Sequence, residues 1–80
     1  MKNAKDKVYE AIKNYMFDFN YPPTIREISE LSKVKSISYV YECLDILRDE
    51  GKLDFIDGKS RTITIPGVFY IEKGARSNGV

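Results

Sequence analysis

Histidine is absent from this sequence of 80 residues, and cysteine occurs once, at Cys43. No disulfide can therefore form within the chain, and a zinc site built from cysteine and histidine ligands is excluded. Because histidine is the side chain that most often transfers protons in enzymes, an enzymatic activity is disfavoured, and we expect neither a cofactor nor a bound metal. A lone cysteine fits a reducing cytoplasm.

Long apolar runs are missing as well. No stretch approaches the roughly 20 residues that cross a bilayer, and residues 1–7 lack the apolar segment of a signal peptide. We therefore expect a cytoplasmic protein that does not contact membranes. A chain of this length holds one domain with one core and no large internal pocket, so no small-molecule ligand is predicted.

An excess of charge is a third feature that the sequence lacks. Thirteen basic and twelve acidic residues give a net charge of +1. A protein that coats nucleic acid without sequence specificity is expected to carry a larger net positive charge. The distribution is uneven, because residues 42–50 carry four carboxylates against Arg48 alone. Cations lie on both sides of this stretch, at Lys33, Lys35, Lys59 and Arg61. Any phosphate-binding surface must therefore be local.

Apolar residues at steps of three and four predict a first helix from Lys5 to Asn20. Its apolar face consists of Val8, Ile12, Tyr15, Met16 and Phe19. The helix cannot continue through Pro22 and Pro23, because proline fixes its own φ and moves the preceding residue out of the helical region. A short, rigid connection is expected after the helix.

Two further helices are predicted after the proline pair. Thr24 and Glu27 have the spacing of a capping box, which starts a second helix of about two turns. The apolar residues of this helix are Ile25, Ile28 and Leu31. After a four-residue turn, Ser36 is the expected N-cap of a third helix that ends before Gly51. The apolar residues of the third helix are Ile37, Val40, Leu44 and Leu47.

The remainder of the sequence predicts strands. Residues 53–56 and 61–65 have strand character, and the Asp57-Gly58 pair between them indicates a hairpin. Residues 68–71 form one more short apolar run, which is a candidate third strand. We expect one domain over residues 1–71 and a disordered polar tail over residues 72–80.

This order of elements predicts an α+β fold, a winged helix-turn-helix with three helices followed by a two-stranded, or three-stranded, β wing. The third helix can enter the major groove of DNA, and on a helical wheel it directs Ser38, Tyr39, Glu42 and Asp45 outward. Phosphate contacts are predicted for Lys33, Lys35, Lys59 and Arg61. For Arg26 the sequence allows two roles, a phosphate contact and a surface salt bridge.

The sequence also resembles the N-terminal DNA-binding domains of LexA repressors. The similarity covers residues 5 to 65 and is carried by residues 21–28 (Tyr-Pro-Pro-Thr-Ile-Arg-Glu-Ile), by residues 35–40, and by the Ser-Arg-Thr-Ile that ends the wing. The resemblance implies that the base-contacting positions of the recognition helix are occupied by Ser36, Ser38, Tyr39, Tyr41 and Glu42. The wheel, by contrast, places Tyr41 near the edge of the core.

Two departures from the LexA pattern limit what the resemblance implies. The sequence ends at Val80 without the self-cleaving peptidase domain that also dimerises LexA proteins, so self-cleavage does not carry over. Tyr39 and Tyr41 are bulkier than the side chains expected at their positions, which predicts a different operator.

Sequence-specific binding to double-stranded DNA, in a repressor-like transcription regulator of prokaryotic, viral or mobile-element origin, is the function that we predict. The alternative is a winged-helix module that binds another protein. The same residues also have explanations that involve no function: the polar face of the third helix is exposed only to solvent, and Lys59 and Arg61 are ordinary hairpin residues. Two assemblies are open: a homodimer through residues 68–71, and a monomer that pairs only on DNA.

Overall fold

The computed structural model describes residues 3–67, and three helices are present in this range. They are α1 (Ala4–Phe19), α2 (Ile25–Ser32) and α3 (Ile37–Asp49). All three helices pack against one another, and residues 53–65, which we call the wing segment, close the remaining side of the core. The predicted third strand at residues 68–71 and the tail at residues 72–80 lie outside the described residues.

Each helix begins at a side-chain cap. The predicted capping box is confirmed, because the Glu27 N–H donates to the Thr24 Oγ1 at 3.1 Å and the Thr24 N–H donates to Glu27 Oε1 at 2.8 Å. The Ser36 hydroxyl accepts the N–H of Tyr39 at 3.2 Å, as an N-cap does. Asn3 caps α1 in the same way, which was not predicted from the sequence.

Left-handed residues end the helices. Asn20, with a φ of 63°, ends α1 and donates its N–H to the Met16 carbonyl, so the helix stops before the proline pair is reached. Gly51, with a φ of 78°, follows α3, and the N–H of Lys52 donates to the Leu47 carbonyl at 3.0 Å. This is the Schellman arrangement that the position of the glycine predicts.

Side chains from every element form a single core. The buried cluster comprises Val8, Ile12, Met16, Ile28, Val40, Cys43, Leu44, Leu47, Leu53, Ile63 and Ile65. Three residues predicted to lie on the apolar helix faces are instead exposed: Phe19 by 52%, Leu31 by 53% and Ile37 by 42%. Each of them lies in the first or last turn of its helix, where the neighbouring helix no longer covers the stripe.

Within residues 3–67, the two segments predicted to form a hairpin are joined by one antiparallel pair. Asp54 and Thr64 exchange two backbone hydrogen bonds of 2.9 Å. Beyond this pair Gly58, with a φ of 79°, occupies the third position of a turn closed by a bond from Lys59 N to the Ile56 carbonyl. A turn with its positive φ at that position is of type II, which splays the flanking strands.

Two further features, one in a side chain and one in the backbone, also stop the ladder. The N–H of Ile56 donates to the hydroxyl of Thr62 at 2.9 Å and so does not join a backbone pair. Arg61 has a φ of 56°, which interrupts the extended conformation expected from the alternating sequence. Across residues 3–67, no helix is long and apolar enough to cross a membrane.

Candidate nucleic-acid interface

The turn between α2 and α3 is held by two buried serines. Ser29 donates its hydroxyl to the Val34 carbonyl at 2.7 Å, and Ser32 accepts the Val34 N–H at 3.2 Å. Lys33, which lies between Ser32 and Val34, takes a left-handed conformation with a φ of 67°. This clamp was not predicted from the sequence. The sequence feature that could have indicated it is a pair of serines three residues apart in the last turns of α2, where the apolar stripe of the helix ends.

The buried face of α3 fixes which of its side chains reach solvent. Val40, Cys43, Leu44 and Leu47 are packed in the core. Burial raises the pKa of the Cys43 thiol, so this side chain is a packing group. The opposite face of the helix, which is exposed, carries Ser38, Glu42, Asp45 and Asp49. The outward direction predicted for Ser38, Glu42 and Asp45 is confirmed.

Two tyrosines lie on opposite flanks of this exposed face. Tyr41 is 45% exposed and lines a small cleft, of about 30 Å³, between α3 and the wing segment. Tyr39 is 48% exposed and lies beside Lys5 and Ile46, near the start of α1. The wheel placed Tyr41 at the core edge, whereas the structure gives it an accessible ring. Base contacts by either tyrosine stay predictions.

Exposed cations lie on three segments of the chain. Lys33 and Lys35 lie in the turn before α3, and Lys59 lies in the turn of the wing segment. Arg26 is exposed on the first turn of α2 and makes no ion pair with any residue between 3 and 67. The salt-bridge alternative for Arg26 is therefore not seen in this range. The Ser36 hydroxyl is engaged as the N-cap and keeps its own hydrogen to donate.

Arg61, which was predicted to contact phosphate, forms hydrogen bonds with three residues of the protein. Its Nη1 donates to the Pro22 carbonyl at 2.9 Å and to the Tyr15 hydroxyl at 3.3 Å, and its Nη2 donates to Glu27 Oε2 at 3.1 Å. The hydrogen bond to Tyr15 and the one to Glu27 raise the pKa of Arg61, so its positive charge is secured. The phosphate contact stays a prediction.

A second arginine binds the other edge of the wing segment. Arg48, on α3, donates to the Phe55 carbonyl at 3.2 Å and lies 4.0 Å from the centre of the Phe55 ring. It also pairs with Asp57 at 3.5 Å and with Asp45 at 3.2 Å. This role was not predicted, because none of these contacts has a local sequence signal except the spacing of Asp45 and Arg48.

Acid is expected to destabilise the fold in part through Glu27. Its pKa is lowered, first by the N–H of Thr24 and then, against desolvation, by Arg61. A carboxyl with a lowered pKa stabilises the folded state fully above its unfolded pKa, near 4.5, and this contribution is lost as the pH falls through the folded pKa. In urea unfolding, the stability difference between wild type and Glu27→Gln should therefore shrink below about pH 4.5.

The matched control for this pH dependence is Glu30→Gln. Glu30 is exposed one turn further along α2 and makes no ion pair within residues 3–67. Its substitution should leave the stability difference near zero at every pH. A difference between Glu27→Gln and wild type that stays constant from pH 7 to pH 3 would contradict the assignment.

Comparison with known proteins agrees with this geometry. A family model described as the LexA DNA binding domain matches residues 1–62. The chain is 38% identical to the LexA repressor of Desulfatibacillum aliphaticivorans over 58 residues, which are 72% of this chain and 29% of that protein. It is 33% identical to the LexA repressor of Teredinibacter turnerae over 64 residues, 80% of this chain and 32% of that protein. The chain therefore spans about a third of the length of these curated relatives.

Proposed function

Because this chain belongs to the LexA DNA-binding domain family, we propose that it binds double-stranded DNA at specific sequences and acts as a repressor-like transcription regulator. The observation that carries the proposal is the setting of α3. Its inner face is buried in the core, and its exposed outer face begins beside Lys33 and Lys35. An α-helix presented in this way fits the major groove, and the lysines lie where phosphates flank it.

Base reading is assigned to the first turns of α3. The side chains proposed to face base edges are Ser36, Ser38, Tyr39, Tyr41 and Glu42. A glutamate carboxylate accepts from the N4 amine of cytosine, whereas a tyrosine ring can contact a thymine methyl group or a sugar. The later part of the exposed face carries Asp45 and Asp49, which repel phosphates. We therefore place the N-terminal half of α3 deepest in the groove.

Phosphate contacts are assigned to exposed cations on three different segments. They are Arg26 on α2, Lys33 and Lys35 in the turn, and Lys59 in the wing segment. The backbone N–H groups at the starts of α2 and α3 add local positive potential. The wing segment acts as the β wing of the fold, with the Asp54–Thr64 pair at its base.

A protein-binding function is the second candidate, and one observation favours it. A groove of about 370 Å³ lies between α1 and α2 and is lined in part by the exposed side chains of Phe19 and Leu31. No residue of α3 lines this groove. Clustered apolar surface of this kind occurs at protein interaction sites.

Salt dependence separates the two candidates. We expect the affinity for duplex DNA to fall steeply between 50 and 200 mM salt, since every neutralised phosphate releases counterions, about 0.9 unit of log–log slope for each. Lys59→Ala should reduce the slope by about one unit and weaken binding to all sequences alike. Lys7→Ala, an exposed lysine on α1, is the control and should leave the slope unchanged. An affinity that is independent of salt would contradict the DNA-binding proposal.

Two copies of the chain are proposed to bind one site. A single domain of this size buries only about 600–1000 Å² on DNA, and regulators gain affinity by pairing on a two-fold symmetric site. The bound sequence should then contain two inverted half-sites, separated by whole helical turns. A site with one unrepeated motif would contradict the pairing and leave the DNA binding itself in place.

A further inference from the structure

Arg61 connects the wing segment to residues far away in the sequence. Its guanidinium reaches Tyr15, 46 residues away, as well as Pro22 and Glu27, 39 and 34 residues away. The Arg61 Cζ also lies 5.1 Å from the centre of the Tyr21 ring. All four partners belong to the junction where α1 ends and α2 begins, so one side chain fastens the wing segment to this junction.

The junction is a rigid anchor. Tyr15 is buried, with 8% of its surface exposed, and Glu27 is fixed from its other oxygen by the N–H of Thr24 at 2.8 Å. The same carboxylate therefore caps α2 through Oε1 and holds Arg61 through Oε2. Pro22 and Pro23, whose φ angles are fixed by their rings, restrict the backbone between the helices.

Arg61 and Lys59 have different environments in the wing segment. Arg61 has a left-handed φ of 56°, a conformation that is unfavourable for a residue with a Cβ and persists where the surroundings hold it. Lys59, two residues earlier, is exposed in the turn. On the other edge of the segment, Arg48 binds the Phe55 carbonyl and Asp57. The turn is thus held from α3 on one side and from the junction of α1 and α2 on the other.

We propose that Arg61 is a positioning residue for DNA binding, which fixes the wing segment so that Lys59 meets the phosphate backbone at a set distance from α3. This role rests on the proposed function. It differs from a direct phosphate contact, because three of the five Arg61 N–H donors are already bonded to Pro22, Tyr15 and Glu27. A fixed wing loses less conformational entropy on binding than a free one, so breaking the anchor weakens binding.

Glu27→Gln distinguishes the two roles by the sign of its effect. Glutamine preserves the acceptor of the capping box but removes the ion pair with Arg61 and one negative charge. If Arg61 positions the wing, this variant binds duplex DNA about two- to fivefold more weakly, although the protein has become more positive. If Arg61 contacts phosphate directly, the variant releases it and binds more tightly. Glu30→Gln, with the same charge change, should bind as tightly as wild type or slightly more so.

Arg61→Lys is the second variant, and it tests the same role even if the Glu27→Gln variant does not fold. Lysine keeps the charge and binds phosphate well, but it cannot reproduce the forked bonds to Pro22, Tyr15 and Glu27. If Arg61 positions the wing segment, Arg61→Lys should lose as much affinity as Arg61→Ala. When Lys59→Ala is added to either of these variants, it should change the salt slope little further. Wild-type affinity in the Arg61→Lys variant, or additive slope changes from the two sites, would overturn the positioning role.

The experiment is a fluorescence-anisotropy titration of labelled duplex DNA at several salt concentrations, with circular dichroism to confirm that each variant is folded. A wild-type chain without salt-dependent affinity would contradict both the proposed function and the role of Arg61. A wild-type chain that binds, together with a Glu27→Gln variant that binds at least as tightly, would overturn the role of Arg61 alone.

Discussion

Replacing Leu44 with alanine is expected to lower the free energy of unfolding by about 2–5 kcal/mol. Leu44 is fully buried at the centre of the cluster that joins all three helices to the wing segment. Truncation removes apolar contacts and leaves a cavity that the helices can only partly fill. A domain of 80 residues has a total stability of about 4–12 kcal/mol, so this single change removes a large share of it.

Ile46→Ala is the matched control for Leu44→Ala. Ile46 lies on the same helix but is 46% exposed, and alanine favours a helix slightly more than isoleucine does. The control should change the stability by less than about 1 kcal/mol. Urea unfolding followed by circular dichroism at pH 7 measures both variants. Equal losses would show that Leu44 does not occupy the central position that the fold gives it.

Replacing Glu42 with alanine is expected to change the preference for one base by about 1–3 kcal/mol, which is a factor of about 5 to 150. Glu42 is exposed on the outer face of α3, in the half that we place in the groove. Its carboxylate can accept a hydrogen bond from cytosine N4 but has no such partner on the other bases except the N6 amine of adenine. The preference at that position should therefore relax, while the other positions of the site keep theirs.

Asp49→Ala is the control for charge, because it also removes one carboxylate from the exposed side of α3. Asp49 is the last residue of the helix, about 10 Å further along its axis than Glu42. Both substitutions should raise the affinity for all duplexes slightly by reducing repulsion of phosphates. Only Glu42→Ala should change the ranking of single-base variants of the site, as measured by competition titrations. An unchanged ranking would remove Glu42 from the base-reading set.

The helices could be predicted because their signals are local. Thr24 with Glu27, and Ser36 before an apolar period, place the starts of α2 and α3 within one residue of where the structure has them. Gly51 does the same for the end of α3. These features join residues that are only three to five positions apart, so residue types at the right spacing are enough to predict the cap.

The wing segment could not be predicted in the same way. The Asp57-Gly58 pair correctly indicated a turn, but the contacts of Arg48 and Arg61 with distant residues, and the hydroxyl of Thr62, limit the backbone pairing on either side of it. Arg61 shows the difficulty best. In the sequence Arg61 is one of two cations beside two carboxylates in the wing segment, and only the fold reveals that its partners lie 34 to 46 residues away.

The exposed ends of the helices were missed for a related reason. Periodicity assigns Phe19, Leu31 and Ile37 to apolar faces, yet whether a face is covered at its last turn depends on the lengths and crossing of neighbouring helices. For the candidate site, periodicity placed Ser38 and Glu42 outward correctly. The turn clamp formed by Ser29 and Ser32 required the folded structure.

Selection from a library of random double-stranded DNA tests the central claim most directly, because it requires no assumption about the site. The recovered sequences are aligned, and the affinity for the recovered duplex is compared with that for a duplex of the same composition in scrambled order. We predict one enriched motif, a higher affinity for the recovered duplex, and a loss of about 1–3 kcal/mol for each mismatch at a contacted position. Recovery of no motif, with equal affinity for both duplexes, would contradict sequence-specific binding.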